Sequence, residues 1–393
     1  MVTQNGVGTP PALRFYVHVP YCGTRCGYCD FNTYVPGEAG RGGTGDWREA
    51  AIREVRLARQ TLGADPRPVS SVFFGGGTPT LLPATDLAAV LAEIADEFGL
   101  APAAEVTCEA NPETITPALL DALLAGGMTR LSLGMQSADA GVLRVLDRQH
   151  SPGGAVKAAR LAQLAGFPRV SLDLIYATPG ETLESWRATV ETAVEAGVGH
   201  VSAYALTVEP GTVLARKVGR GEMAAPDDDH AAACYEIADS ALGDAGLPWY
   251  EISNWAIPGH ECGHNVGYWT ADDWWGVGPG AHSHAAGVRW WNLRHPVKWA
   301  AALTAGQDPR EGEETLSADQ RRTEQVMLAV RLAAGFEADV LVGANGPAIA
   351  RDLAGRGLLE AVGPRWRLTR RGRLLADAVT LELLAAASAH DAE

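Results

Sequence analysis

Residues 15–31 read Phe15-Tyr16-Val17-His18-Val19-Pro20-Tyr21-Cys22-Gly23-Thr24-Arg25-Cys26-Gly27-Tyr28-Cys29-Asp30-Phe31, a short apolar strand running into three cysteines spaced CxxxCxxC. Three thiolates can hold three irons of a 4Fe-4S cluster and leave the fourth iron open to a small ligand. A closed structural zinc site asks for four ligands, and a thioredoxin-type pair has no third cysteine. Cys22, Cys26 and Cys29 are therefore the expected metal ligands. The remaining cysteines, Cys108, Cys234 and Cys262, lie far away in sequence; Cys108 sits in a strand pattern and reads as buried apolar filler.

Working outward, 393 residues suggest one large domain with an appendage. A hydrophobic fraction of 47% and a charged fraction of 20% describe an ordinary globular chain, with no apolar run long enough for a bilayer. Met1 to Ala12 lacks the basic-then-apolar order of a signal peptide. The cysteines are expected to be reduced in a cytoplasmic protein with no transmembrane anchor. A net charge of −15 argues against nucleic-acid partners, which are drawn by basic surface.

From Arg14 to about Thr207, apolar runs alternate with amphipathic stretches. Strands are expected at 15–19, 69–74, 105–109, 130–135, 169–175 and 200–205. Helices are expected at 47–62, 86–98, 117–125, 155–165 and 183–196. Crossover helices join parallel neighbours, so the fold class is α/β, a partial (β/α)6 barrel. In such folds the loops after the strands build the site, and the cysteine loop follows the first strand. The glycine-rich stretch 36–45 reads as a linker. The expected organisation is residues 1–13 as an N-terminal tail, 14–207 as barrel core, 208–312 as an α/β extension and 313–385 as a C-terminal winged-helix-like domain. In that last part, residues 358–360 and 366–369 are expected to pair across Gly363-Pro364. Arg365, Arg367, Arg370, Arg371 and Arg373 form a basic patch there, read as a solvated face or a domain contact.

Gly75-Gly76-Gly77-Thr78-Pro79 follows the second strand, where missing side chains let backbone approach a ligand. Turn geometry alone accounts for the same residues. Glu109, near Asn111-Pro112, ends the third strand, placed to accept hydrogen bonds from ribose hydroxyls. Eight of eleven tryptophans and five of ten histidines fall between Trp249 and Trp299. An apolar macrocycle suits aromatic surface, and His260, Cys262, His264, His282 and His284 are candidate iron ligands. The same tryptophans read equally well as core.

Together YVHVP, GGGTP, CEANP, Gln136 in LGMQS, Arg148, and Asp173 in SLDLIYATPG resemble the radical S-adenosylmethionine superfamily, in the branch containing oxygen-independent coproporphyrinogen III dehydrogenase. The resemblance implies that S-adenosylmethionine chelates the open iron, with Tyr16, Tyr28, Gly76 and Glu109 lining its site. Gly77, Thr78, Gln136, Arg148 and Asp173 match groups that contact a second cofactor molecule in the dehydrogenase. That enzyme carries a fourth cysteine two positions beyond the third, where this chain has Phe31, and a longer segment before its cluster motif. With His264-Asn265-Val266-Gly267-Tyr268-Trp269 matching HNxxYW, the chain resembles more narrowly the HemW haem chaperone family. That implies haem as ligand, with His264, Tyr268 and Trp269 as candidate contacts, haem-accepting respiratory proteins as partners, and a low-potential donor such as flavodoxin or ferredoxin. The rival implied activity is oxidative decarboxylation of coproporphyrinogen III propionates by a 5′-deoxyadenosyl radical.

Overall fold

The computed structural model describes residues 11–38, 44–343 and 345–388; most of the expected N-terminal tail and the middle of the expected linker lie outside the described residues. The apolar runs form six strands, β1 (Leu13–Val19), β2 (Val69–Gly76), β3 (Leu100–Ala110), β4 (Arg130–Gln136), β5 (Arg169–Tyr176) and β6 (His200–Ala205). They pair in parallel and in sequence order, with Phe15 opposite Val72 and Leu133 opposite Leu172. Crossovers run through α1 (Thr44–Leu62), α2 (Ala84–Phe98), α3 (Pro117–Ala125), the short α4 (Ala140–Val145), α5 (Gly154–Ala165) and α6 (Leu183–Glu195). Local chemistry sets their starts: Thr116 caps α3, Asp139 caps α4, and Thr182 with Ser185 makes a reciprocal capping box on α6.

The six-stranded array does not close on itself. After α7 (Val213–Gly219) and α8 (Asp228–Asp244), the hairpin β7 (Trp249–Glu251) and β8 (Asn254–Ala256) adds antiparallel to β6. Helix α9 (Gly263–Trp269) precedes β9 (Asp273–Val277), which pairs in parallel with β1. Strands β10 (His282–Ala285), β11 (Val288–Asn292) and β12 (Arg310–Thr315) continue that edge, with α10 (Pro296–Thr304) lying between the last two, and complete a twelve-stranded sheet. Trp255, Trp275, Trp290 and Trp299 are buried in the main core. Half of the tryptophan-rich segment thus packs the added strands instead of walling a ligand site. Glu54 of α1 fastens this edge, accepting from Gly278 N, Asn292 Nδ2 and Trp299 Nε1 at 2.6–2.9 Å.

The C-terminal part, α11 (Ala318–Ala329), α12 (Ala338–Val342), α13 (Gly346–Gly355), β13 (Leu359–Val362), β14 (Arg365–Leu368), α14 (Arg370–Leu374) and α15 (Ala376–Ser388), has a core of its own. The hairpin pairs Leu359 with Leu368, and Phe336 bridges Trp366. Four of the five arginines face carboxylates: Arg365 with Glu337, Arg367 with Glu360, and Arg370 and Arg373 with Asp239 of α8. The last two fasten this part to the rest.

Candidate functional site

Inward-facing residues of the six strands surround a cavity of about 560 Å³, which opens at the cysteine loop. Cys22, Cys26 and Cys29 sit on its rim, each half-buried. The loop is held from below. Gly77 N–H donates to Val19 O at 2.8 Å and Thr78 N–H to Tyr21 O at 2.7 Å. Gly76 N–H donates to Glu109 Oε2 at 2.9 Å. Two of the glycine N–H groups are thus engaged within the protein, and crowding explains the triplet. A Cβ on Gly76, whose φ is +105°, would lie 2.3 Å from His18 Cε1, and one on Gly77 would lie 2.5 Å from Tyr21 O. Tyr16 Oη meets His18 Nδ1, and His18 Nε2 meets Asn32 O, both at 2.9 Å. His18 therefore ties the far end of the cysteine loop to the cavity wall. Burial lowers its pKa to about 4, keeping the ring neutral.

Two thiols are cross-braced. Thr78 Oγ1 lies 3.8 Å from Cys22 Sγ and accepts from Asn111 Nδ2 at 2.9 Å. Arg148 Nη2 donates to Asn111 Oδ1 at 2.6 Å while Nη1 lies 3.4 Å from Cys26 Sγ. Burial pushes the Cys29 thiol up to about 11, and that of Cys22 upward, partly offset by Thr78. The three sulfurs also sense one another electrostatically, an arrangement a bound cation relieves.

The nine residues expected at the cofactor all line this cavity. Glu109 is held protonated up to about 7 by burial and by the charge of Asp173. Asp173 accepts from Ser132 and Ser202 Oγ, both at 2.8 Å. Gln136 has φ +59°, and its Oε1 is buried with no partner among the described residues. A strained backbone carrying an unsatisfied acceptor on a cavity wall fits a ligand-facing role. Three rim thiols, an orphan acceptor and a glycine-lined wall fit an iron-sulfur cluster with a polar organic cofactor beneath it. His18 and Asn111 were not singled out as cofactor residues from sequence. The contacts through which they brace the cysteine loop, His18 to Asn32 and Asn111 to Arg148, span 14 and 37 residues, so no local pattern announces them.

The HNxxYW segment is α9, and it closes the opposite end of the barrel. Gly263 and His264 N–H donate to Glu105 of β3. Arg14 of β1 pairs with Asp272 at 2.7 Å, and its guanidinium crosses Gly267, where a Cβ would lie 2.0 Å away. His264 stacks on Phe73 and has both ring nitrogens engaged, with Ser71 Oγ and Tyr268 Oη at 2.9 Å each. Burial takes its pKa to about 3. His264 and Tyr268 thus line the floor of the cavity, and Trp269 lies off its wall. For iron ligation, for which it was one of five candidates, His264 would first have to give up a hydrogen bond. Arg130 reaches the same floor fully buried, with Nε and Nη1 unpartnered among the described residues.

Comparison with known proteins follows the same lines. Residues 16–193 match the family model of the Radical SAM superfamily. "Heme chaperone HemW" of Mycobacterium tuberculosis is 52% identical over 381 residues, covering 96% of this chain and 97% of that protein. The protein of the same name from Bacillus subtilis is 31% identical over 93% of this chain and 97% of its own. The solved structure of coproporphyrinogen III oxidase (HemN) from Escherichia coli superposes with a TM-score of 0.79 at 21% identity, over 95% of this chain and 90% of that one. That likeness shows the same fold, including the open α/β array and its additions. On the match in sequence over nearly its full length, the chain belongs to the heme chaperone HemW family of the radical SAM superfamily.

Proposed function

We propose that the chain is a haem chaperone: it binds haem and hands it to haem-dependent respiratory proteins while carrying a 4Fe-4S cluster and S-adenosylmethionine. The observation that carries this reading is the near-full-length identity to proteins of that name. Cys22, Cys26 and Cys29 ligate the cluster. Tyr16, Tyr28, Gly76 and Glu109 receive the cofactor, and Gly77, Thr78, Gln136, Arg148 and Asp173 continue its site. When bound, cluster and cofactor supply one-electron chemistry, fed by a low-potential donor such as flavodoxin or ferredoxin in the cytoplasm. Arg148 and Thr78 hold the rim sulfurs in place, and Glu109 can offer or accept a proton at the cavity wall near neutral pH.

Size supports a partition of ligands. A cavity of about 560 Å³ is of the size that one small-molecule ligand fills. Phe31, 60% exposed, stands on its rim where the dehydrogenase has its fourth cysteine. A shallower groove of about 520 Å³ continues from Phe31 past Tyr34 to Arg294, His295 and Lys298. Aromatic faces for a flat ring and cations for its propionates support a haem site at this mouth, from which haem can leave. Radical chemistry on coproporphyrinogen asks for a sealed site instead.

The test is anaerobic reconstitution, followed by haem titration and a coproporphyrinogen III assay with reductant and S-adenosylmethionine on one preparation. Haem binding that weakens in Phe31→Asp and in Arg294→Glu/Lys298→Glu, without protoporphyrinogen formation, is expected. Multiple turnovers, or haem uptake no greater than that of an unrelated acidic protein, would overturn the reading. Haem binding lost only in His264→Ala would move the site to the barrel floor.

A further inference from the structure

A second group of metal-ligating side chains lies away from the cavity, between the loop after β5 and helix α8. Glu181, His230 and Cys234 each present one ligand atom, all within 4.8 Å of one another. None of them lines the cavity. His230 and Cys234 stand four residues apart on one face of α8, with Nε2 and Sγ 3.6 Å apart. Bond lengths of about 2.1 Å to nitrogen and about 2.3 Å to sulfur set neighbouring corners of a tetrahedron roughly 3.4–3.7 Å apart, so this pair already spans one edge.

The carboxylate gives the independent indication. Glu181 is 7% exposed, and its Oε2 accepts from Ala177 N–H at 2.8 Å. The Thr178 backbone N–H also favours the charged carboxylate, but no donor meets its buried Oε1 at hydrogen-bond geometry among the described residues. An unsatisfied buried acceptor is costly, and a thiol–imidazole hydrogen bond between Cys234 and His230 leaves it unexplained. The loop is also held in a conformation that side chains disfavour, Ala177 having φ +60°, which aims its N–H at the carboxylate. On the other side, Trp186 Nε1 donates to Cys234 O at 2.7 Å and fixes α8 against α6.

We propose that Glu181, His230 and Cys234 form a second metal site, for a zinc-type divalent ion, clamping the β5–α6 loop to α8. Imidazole, thiolate and carboxylate together select a borderline transition metal over calcium or magnesium, which ask for oxygen alone. One thiolate and one carboxylate neutralise the dication. On binding, the Cys234 S–H bond is exchanged for a metal–sulfur bond and the proton leaves to solvent. His230 is only half-buried, so the fourth position faces water, as in three-ligand zinc sites.

Because three free thiols of the cysteine loop could also take zinc, the test uses the full chain carrying Cys22→Ser, Cys26→Ser and Cys29→Ser, alongside the anaerobically reconstituted parent. Zinc is titrated against a chelator, and cobalt(II) reports the ligands by absorption. One equivalent is expected in both, with a thiolate-to-cobalt charge-transfer band that Cys234→Ser removes. His230→Ala, at a half-exposed helix position that should not disturb folding, and Glu181→Gln should each weaken zinc at least about tenfold. No bound equivalent in the triple variant, or one whose affinity neither His230→Ala nor Glu181→Gln changes, would overturn the proposal.

Discussion

At the scale of single residues, six cysteines divide into two classes by position. Cys108 is fully buried on β3, and Cys262 lies against Glu105 at the floor. Replacing each cysteine by alanine and counting iron and sulfide should abolish the cluster for Cys22, Cys26 and Cys29 and spare it for Cys108, Cys234 and Cys262. Gly76→Val should keep its iron yet lose the change in the cluster's paramagnetic spectrum on cofactor addition, since its side chain meets His18 in the cavity wall. Glu109 makes a prediction in pH. Its folded pKa of about 7 exceeds the unfolded value of 4.5, so the native state binds the proton more tightly and loses stability as pH rises between these values. In cofactor-free protein, Glu109→Gln should therefore resist denaturant better than the parent above pH 7, by up to roughly 3 kcal/mol, with the advantage gone below pH 4.5. The strand-end residues were legible because a strand's end is a local pattern. The bracing of Cys26 through Arg148 and Asn111 was not, since it joins three loops.

At the scale of elements, the six strands and five of the helices follow from apolar periodicity, and their ends from Thr, Asp and Gly at the caps. The six-residue α4 is too short to leave a periodic signal. The β9–β12 edge was illegible for another reason: β9 pairs with β1 across more than 250 residues, and the tryptophans that fill its core have the composition of a porphyrin wall. The C-terminal hairpin was visible in the sequence, but the docking of the part that carries it was not. Asp239 accepts from Arg370, Arg373 and Trp255, with Arg373 itself buried. Removing that acceptor leaves a buried guanidinium without its partner, so Asp239→Ala should cost about 3–5 kcal/mol. Calorimetry should show the C-terminal part melting separately and earlier than the barrel.

At the scale of the whole molecule, no helix among the described residues is long and apolar enough to cross a membrane. Helix α9 is set across the barrel base by Glu105, Arg14 and Asp272, at the end opposite the cysteine rim. Two ligands that share the cysteine mouth are stacked there, and what enters first leaves last. On the proposed function, S-adenosylmethionine seated below the cluster would exchange past whatever occupies the rim. Adding haem to the cofactor-loaded protein should slow the release of labelled S-adenosylmethionine, and Phe31→Asp should restore it. Handing haem to an acceptor would then reopen the way for the cofactor beneath, so that each delivery resets the mouth for its next load.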